Sequence, residues 1–447
     1  GKSILFSVLP ETQALYGFLI AILLMVGGGL IGTVKAGLSM PVAMIALGAG
    51  LAVGIAAVSA VGQGIASSAG TSAASKNPKM FGKSILFSVL PETQALYGFI
   101  ISILILIGFG VLGATATTLS GPVSIFAIAA GLAVGLAGVS AIGQGIASAS
   151  GVSSVAEDDK IFGKSILFSV LPETQALYGF LIAVLLLIGS GIMGGIKLGL
   201  TDATGIMGIG VGLAVGLAGI SAVGQGIAAS SGISSVVRNA KMFGKSILFS
   251  VLPETQALYG FLIAVLLMVG GGLLGTVKAG LTVPVGLVAI GAGLAVGVAG
   301  ISAIGQGIVS GSGISSVTDK SKMFGKSILF SVLPETQALY GFLISVLLLI
   351  GGGILGEFNP GLTVPVGLVA IGVGLSVGVA AISAIGQGIA ASSGVASITE
   401  NEKTFGKSIL FSVLPETQAL YGTIIAILML TGAGLMGTVK AGITVSQ

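Results

Sequence analysis

Long apolar runs broken by short polar stretches dominate the chain. One kind of run, such as Lys83 to Gly113, stays apolar for about 30 residues, enough to cross a hydrocarbon core about 30 Å thick at about 1.5 Å per residue. The other kind, such as Pro41 to Ser68, is equally apolar but dense in small residues, with Ala46, Gly50, Gly54, Ala57 and Gly64 near helical spacing. The two kinds alternate with a fixed period. GKSILFSVLPETQALYG begins at Gly1, Gly82, Gly163, Gly244, Gly325 and Gly406, 81 residues apart each time. GQGI recurs with the same period and places Gln63, Gln144, Gln225, Gln306 and Gln387 between those copies. We call the two runs the Glu helix and the Gln helix.

Six Glu helices and five Gln helices predict eleven spans in an all-α membrane protein built of tandem transmembrane helical hairpins. The expected units are a lone Glu helix over 1–40 and hairpins over 41–121, 122–202, 203–283, 284–364 and 365–447. An odd number of spans puts the two ends on opposite sides of the membrane. The opening on an unpartnered Glu helix, without an initiator Met, predicts a piece of a longer concatemer.

Composition narrows the chemistry. Of 447 residues 54% are apolar and 7% charged, 77 are glycine, and the mean hydropathy is +1.15, whereas a soluble domain carries about 25% charged residues. Cysteine, histidine and tryptophan are absent, which removes thiol catalysis, disulfides, zinc chemistry and any His-based general base. The net charge of +4 is small for this length and scattered among loops, so nucleic acid is not an expected partner. The loops that precede GKS, with its Lys, hold 14 of the 18 basic residues, including Lys76, Lys79, Lys83, Arg238, Lys241 and Lys245. The opposite loops hold Lys35, Lys197, Lys278 and Lys440, so the GKS side is expected to be cytoplasmic.

Six carboxylates interrupt the apolar runs: Glu11, Glu92, Glu173, Glu254, Glu335 and Glu416, each within LPETQALY. A carboxylate at bilayer depth costs about 2.5–3.5 kcal/mol on insertion scales and marks an ion or proton path. Gln63 and Glu92 are equidistant from the turn-forming pair Asn77 and Pro78, so a hairpin folded there sets them side by side. The same relation holds in every hairpin. Thr12 and Gln13 point about 100° and 200° away from Glu11 around the helix, so one helix cannot close all three on one ion. Two adjacent Glu helices can, if one offers its Glu and the next its Thr and Gln, each helix then serving two sites. Pro10 frees a carbonyl one turn back, at Phe6. Tyr16 lies on the side of Thr12 and Gln13 and can cap the site with its hydroxyl.

One carboxylate among amide, hydroxyl and carbonyl oxygens is a hard-cation set that balances one monovalent charge. It predicts Na⁺, with H⁺ as the alternative, because a buried Glu can stay protonated. GKS hints at a phosphate-binding loop, but the required preceding Gly is replaced by Asn77, Asp158, Asn239, Lys320 and Asn401 in an apolar helical context, so no nucleotide is expected on this chain.

Gly-rich helices carrying GQG that alternate with helices carrying LPETQALYG resemble the proteolipid (c or K) subunit of archaeal A-type and V-type rotary ATPases, in a form with many fused hairpins. The resemblance spans essentially the whole chain. It implies a two-layer rotor ring in the cell (plasma) membrane, Gln helices inside and Glu helices outside, that couples ion flow to rotation without itself hydrolysing ATP. The Na⁺-dependent members imply Leu9, Glu11, Thr12, Gln13, Tyr16 and Gln63 as site residues. Carried along the repeat, the positions are Leu90, Thr93, Gln94 and Tyr97; Leu171, Thr174, Gln175 and Tyr178; Leu252, Thr255, Gln256 and Tyr259; Leu333, Thr336, Gln337 and Tyr340; and Leu414, Thr417, Gln418 and Tyr421. It also implies further hairpins or chains to close the ring, central-stalk subunits, surrounding lipid, and a stator subunit that supplies the ion-releasing Arg. Many duplicated V-type proteolipids keep one acidic residue per two hairpins, whereas every Glu helix here keeps its own, which implies more ions per turn.

Overall fold

A computed structural model describes residues 2–27, 31, 39–112, 120–194, 197–357, 359 and 361–436. Eleven helices among them are long and apolar enough to cross a membrane, as the repeat predicts. The Gln helices run Met40–Lys76, Gly121–Glu157, Asp202–Arg238, Val283–Asp319 and Val364–Glu400. The Glu helices run Ile4–Gly27, Pro78–Gly108, Asp159–Gly189, Ala240–Gly270, Ser321–Gly351 and Glu402–Gly432. The Gln helices are longer than their apolar stretches because serine-rich segments continue them toward the GKS side. Lys35 and Lys440 lie outside the described residues.

Sharp local signals set the ends. Asn77 accepts a hydrogen bond from the Lys79 backbone N–H and adopts an extended conformation, so the chain reverses there within a few residues. At the other end of the Glu helix, Gly110 takes φ +68°. Its N–H donates to the Ile107 carbonyl and that of Val111 to Leu106, the paired bonds of a glycine-terminated helix. A left-handed glycine recurs 81 residues on as Gly191, then as Gly272, Gly353 and Gly434.

The small residues decide how the hairpins assemble. A methyl group added at Gly145 would run into the Gly62 carbonyl, and one at Gly226 into that of Gly143. The Gln helices therefore pack backbone to backbone in one continuous layer. The Glu helices form a second layer against it and touch each other far less. Leu86, Leu96, Ile100 and Ile107 point outward from this second layer, as a lipid-facing surface requires. A layer of closely spaced helices joined to a layer of widely spaced ones bends toward the close one, which places the Gln helices on the inside of the curve.

Polar contacts join successive hairpins at both ends. At the GKS end the Lys83 ammonium pairs with Asp159 and stands 5.5 Å from the centre of the Phe162 ring. Lys326 repeats this with Glu402, at 2.7 Å, and with Phe405. At the opposite end the Lys197 ammonium donates to the Gly272 and Leu273 carbonyls, capping the helix of the next hairpin. Burial holds its pKa below the ordinary lysine value.

Candidate functional site

Each Glu helix breaks its regular winding at the Leu-Pro-Glu triplet. In the second one, Leu90–Glu92 forms a single 3-10 turn, because proline cannot donate into the ladder. The tightened turn brings the Leu90 carbonyl within 3.0 Å of the Thr93 hydroxyl. The Leu carbonyl, rather than the Phe carbonyl one turn back, thus joins the polar cluster.

The Glu92 carboxylate lies where three helices meet. Gln63, across the hairpin, donates its amide to Oε2 at 3.2 Å. Tyr16, on the preceding Glu helix, donates its hydroxyl to Oε1 at 2.7 Å. The Gln63 amide oxygen accepts from Gln13 Nε2 at 2.6 Å. The Gln13 amide oxygen faces the Thr12 hydroxyl at 3.1 Å, and that hydroxyl reaches the Leu9 carbonyl at 3.0 Å. Gln13 and Gln63 are fully buried, while Glu92 is half-buried on the side between the two Glu helices.

The same constellation recurs around Glu173, Glu254 and Glu335. Their partners are Tyr97 and Gln144, Tyr178 and Gln225, and Tyr259 and Gln306, at 2.6–2.7 Å from tyrosine and 3.1–3.2 Å from glutamine. Gln94, Gln175 and Gln256 join the corresponding Gln-helix amides at 2.6–2.7 Å, each beside its own threonine, Thr93, Thr174 or Thr255. Leu171 and Leu252 supply the carbonyls. Around Glu416 the tyrosine and glutamine bonds persist from Tyr340 and Gln387, and Thr336 still reaches the Leu333 carbonyl. Gln337 Nε2 and Gln387 Oε1, however, are buried there without a hydrogen-bond partner among the described residues.

Five groups of residues singled out by sequence therefore come together, and each inner Glu helix serves two of them. Glu11 is exposed and meets no tyrosine or glutamine of this kind among the described residues. Tyr421, Thr417 and Gln418, with the Leu414 carbonyl, form the matching open edge. Sequence reasoning missed Phe99, which stacks on Tyr16 with ring centres 5.2 Å apart. The signal was its position seven residues after Glu92, two turns along the same helical face.

The cluster is rich in oxygen and poor in charge. Each site holds one carboxylate, two amide oxygens, a threonine and a tyrosine hydroxyl, and a backbone carbonyl. Both carboxylate oxygens accept hydrogen bonds, one from a tyrosine hydroxyl and one from a glutamine amide. A single monovalent cation would neutralise the carboxylate.

A family profile describing the C-subunit of ATP synthase matches residues 47–105, 128–186, 209–267, 290–348 and 371–429. Each match begins in a Gln helix and ends in the following Glu helix, so its unit is the hairpin. The A-type ATP synthase subunit K of Methanocaldococcus jannaschii is 49% identical over 229 residues, 51% of this chain and 97% of that protein. The V-type sodium ATPase subunit K of Enterococcus hirae is 34% identical over 131 residues, 29% of this chain and 80% of its own length. The 16 kDa proteolipid of the V-type proton ATPase of Ovis aries is 30% identical over 131 residues, 29% of this chain and 77% of its own.

Proposed function

Because this chain belongs to the ATP synthase C-subunit family, as a fused multi-hairpin proteolipid of the A-type and V-type rotary ATPases, we propose that it carries Na⁺ across the membrane on one glutamate per hairpin. It is a multi-pass, ion-translocating and non-catalytic subunit of a rotor ring.

The observation that carries the Na⁺ reading is the set of oxygens at Glu92. Gln63 and Tyr16 donate to its two oxygens and fix the carboxyl group in place. Around it Gln13, Gln63, Thr12 and Leu9 provide neutral oxygens suited to a hard monovalent cation that would balance the carboxylate charge. A proton needs only the carboxyl and one acceptor. The name of the sodium-pumping relative agrees with this reading, and that of the proton-pumping relative keeps H⁺ as the outcome to be excluded.

In this mechanism each glutamate loads from one half-channel, travels past lipid with its charge neutralised, and discharges into the other half-channel. Discharge needs a cation that competes for the carboxylate. Arg238 is the one arginine of the sequence; it ends its Gln helix on the GKS side, thirteen residues beyond Gln225, and is paired there with Asp319 at 3.3 Å. The competing charge therefore comes from a stator subunit. Further hairpins or chains close the ring, and central-stalk subunits dock on the GKS-side loops, whose basic excess marks them as cytoplasmic in the plasma membrane. The hairpin units are those set by the repeat, beginning with 41–121. Equilibrium binding of radioactive Na⁺ to the purified ring tests the reading. One ion per intact glutamate, displaced by acid, supports it, and binding that does not scale with glutamate number overturns it.

A further inference from the structure

The five clusters are built from near-identical sequence, yet one of them is not equivalent to the rest. Four tyrosines that hold a glutamate lie under a phenylalanine of the next Glu helix: Tyr16 under Phe99, Tyr97 under Phe180, Tyr178 under Phe261 and Tyr259 under Phe342, with ring centres 5.2–5.4 Å apart. Each phenylalanine stands seven positions after the glutamate that its tyrosine holds. In the last hairpin that position is Thr423. Its hydroxyl is turned back to the Ala419 carbonyl of its own helix, 2.8 Å away, rather than toward Tyr340. Tyr340 keeps its bond to Glu416 but has no ring above it among the described residues.

A second observation falls on the same site. The inter-helix amide bond seen in the other four clusters is missing here, so Gln337 Nε2 and Gln387 Oε1 are both buried and unpartnered among the described residues. The distance from the Thr336 hydroxyl to the Gln337 amide oxygen has widened to 3.5 Å, against 3.0–3.1 Å in the other four.

We propose that the phenylalanine seven residues after each glutamate is a positioning residue that holds the neighbouring tyrosine on the carboxylate, and that Thr423 makes Glu416 a station that loads and empties more easily than the other four. The proposal rests on the ion-site reading above. The ring acts in two ways. It fixes the tyrosine side chain from behind, and it covers the hydroxyl–carboxylate bond against water. A threonine at Thr423 fills less space and offers no ring face, so the Tyr340 hydroxyl leaves the carboxylate more often. An aromatic pair of this geometry corresponds to about a two- to tenfold change in equilibrium. Among the five sites of this chain, Glu416 then has the lower barrier to exchange.

The test is carbodiimide labelling of the assembled ring. It is followed at each glutamate separately through tryptic fragments, which differ in sequence beyond the shared motif. The wild-type chain should need about two- to tenfold more Na⁺ to protect Glu416 than to protect Glu92, Glu173, Glu254 or Glu335. T423F should bring Glu416 into line, and F261T should shift Glu254 alone by the same factor, in a hairpin flanked on both sides. Coincident protection curves for all five, unmoved by T423F and F261T, would overturn the role given to the phenylalanine while leaving the Na⁺ site standing. If Na⁺ protects none of them, the ion assignment falls instead. The labelling rates without Na⁺ then decide the positioning role: faster labelling at Glu416, slowed by T423F, supports it, and equal rates overturn it.

Discussion

Tyr16 and Glu92 are 76 positions apart in the chain and 2.7 Å apart in space. This contact links one hairpin to the next at the depth of the carboxylate, so every site is a joint between neighbours. A rotor built this way cannot move one Glu helix without disturbing the tyrosine of another.

The carboxylate can be tested alone. In Glu92→Gln the Tyr16 hydroxyl keeps an oxygen to donate to, and the side chain keeps its volume. The variant should fold, assemble and bind one ion fewer per chain. Radioactive Na⁺ counted against protein measures it, and an unchanged count contradicts the assignment.

Gln63 is a buried bridge between Gln13 and Glu92. Gln63→Leu leaves the Gln13 amide without its acceptor and the carboxylate without one donor. Each orphaned buried group costs about 1–3 kcal/mol. The Na⁺ concentration needed to protect Glu92 should rise about tenfold or more, while Glu254, two hairpins away, stays unchanged.

The Gln-helix layer should tolerate almost nothing at its contact glycines. Gly145→Val places branched carbons against the Gly62 carbonyl, and overpacking of this kind costs about 1–3 kcal/mol or more. Ser102→Ala is the contrasting change. It removes a hydroxyl that reaches the Ala49 carbonyl at 2.8 Å and leaves that carbonyl in its own helix, for about 0.6 kcal/mol. Thermal dissociation of the purified assembly should fall sharply for the first variant and barely for the second.

These outcomes divide along what a sequence can carry. The span count, the hairpin register and the meeting of Gln63 with Glu92 were legible because they follow from a strict period and a turn at Asn77. The sharing of each Glu helix between two sites followed from the angular offsets of Thr12 and Gln13. The placement of the Leu9 carbonyl was not derivable from helix geometry, because the proline turn tightens to 3-10 form and selects a different oxygen from the expected one at Phe6. Phe99 went unseen because a phenylalanine in an apolar run looks like any lipid-facing residue until the neighbouring tyrosine is in place. The difference at Thr423 becomes meaningful only once that stacking is known.

The most direct test of the central claim is the pH dependence of carbodiimide labelling at the glutamates of the purified ring, with and without Na⁺. The account predicts that Na⁺ at millimolar concentration or below protects Glu92, Glu173, Glu254, Glu335 and Glu416, and that protection weakens as acid competes for the carboxylates. Labelling indifferent to Na⁺, and lost as pH rises, would contradict it and make H⁺ the coupling ion.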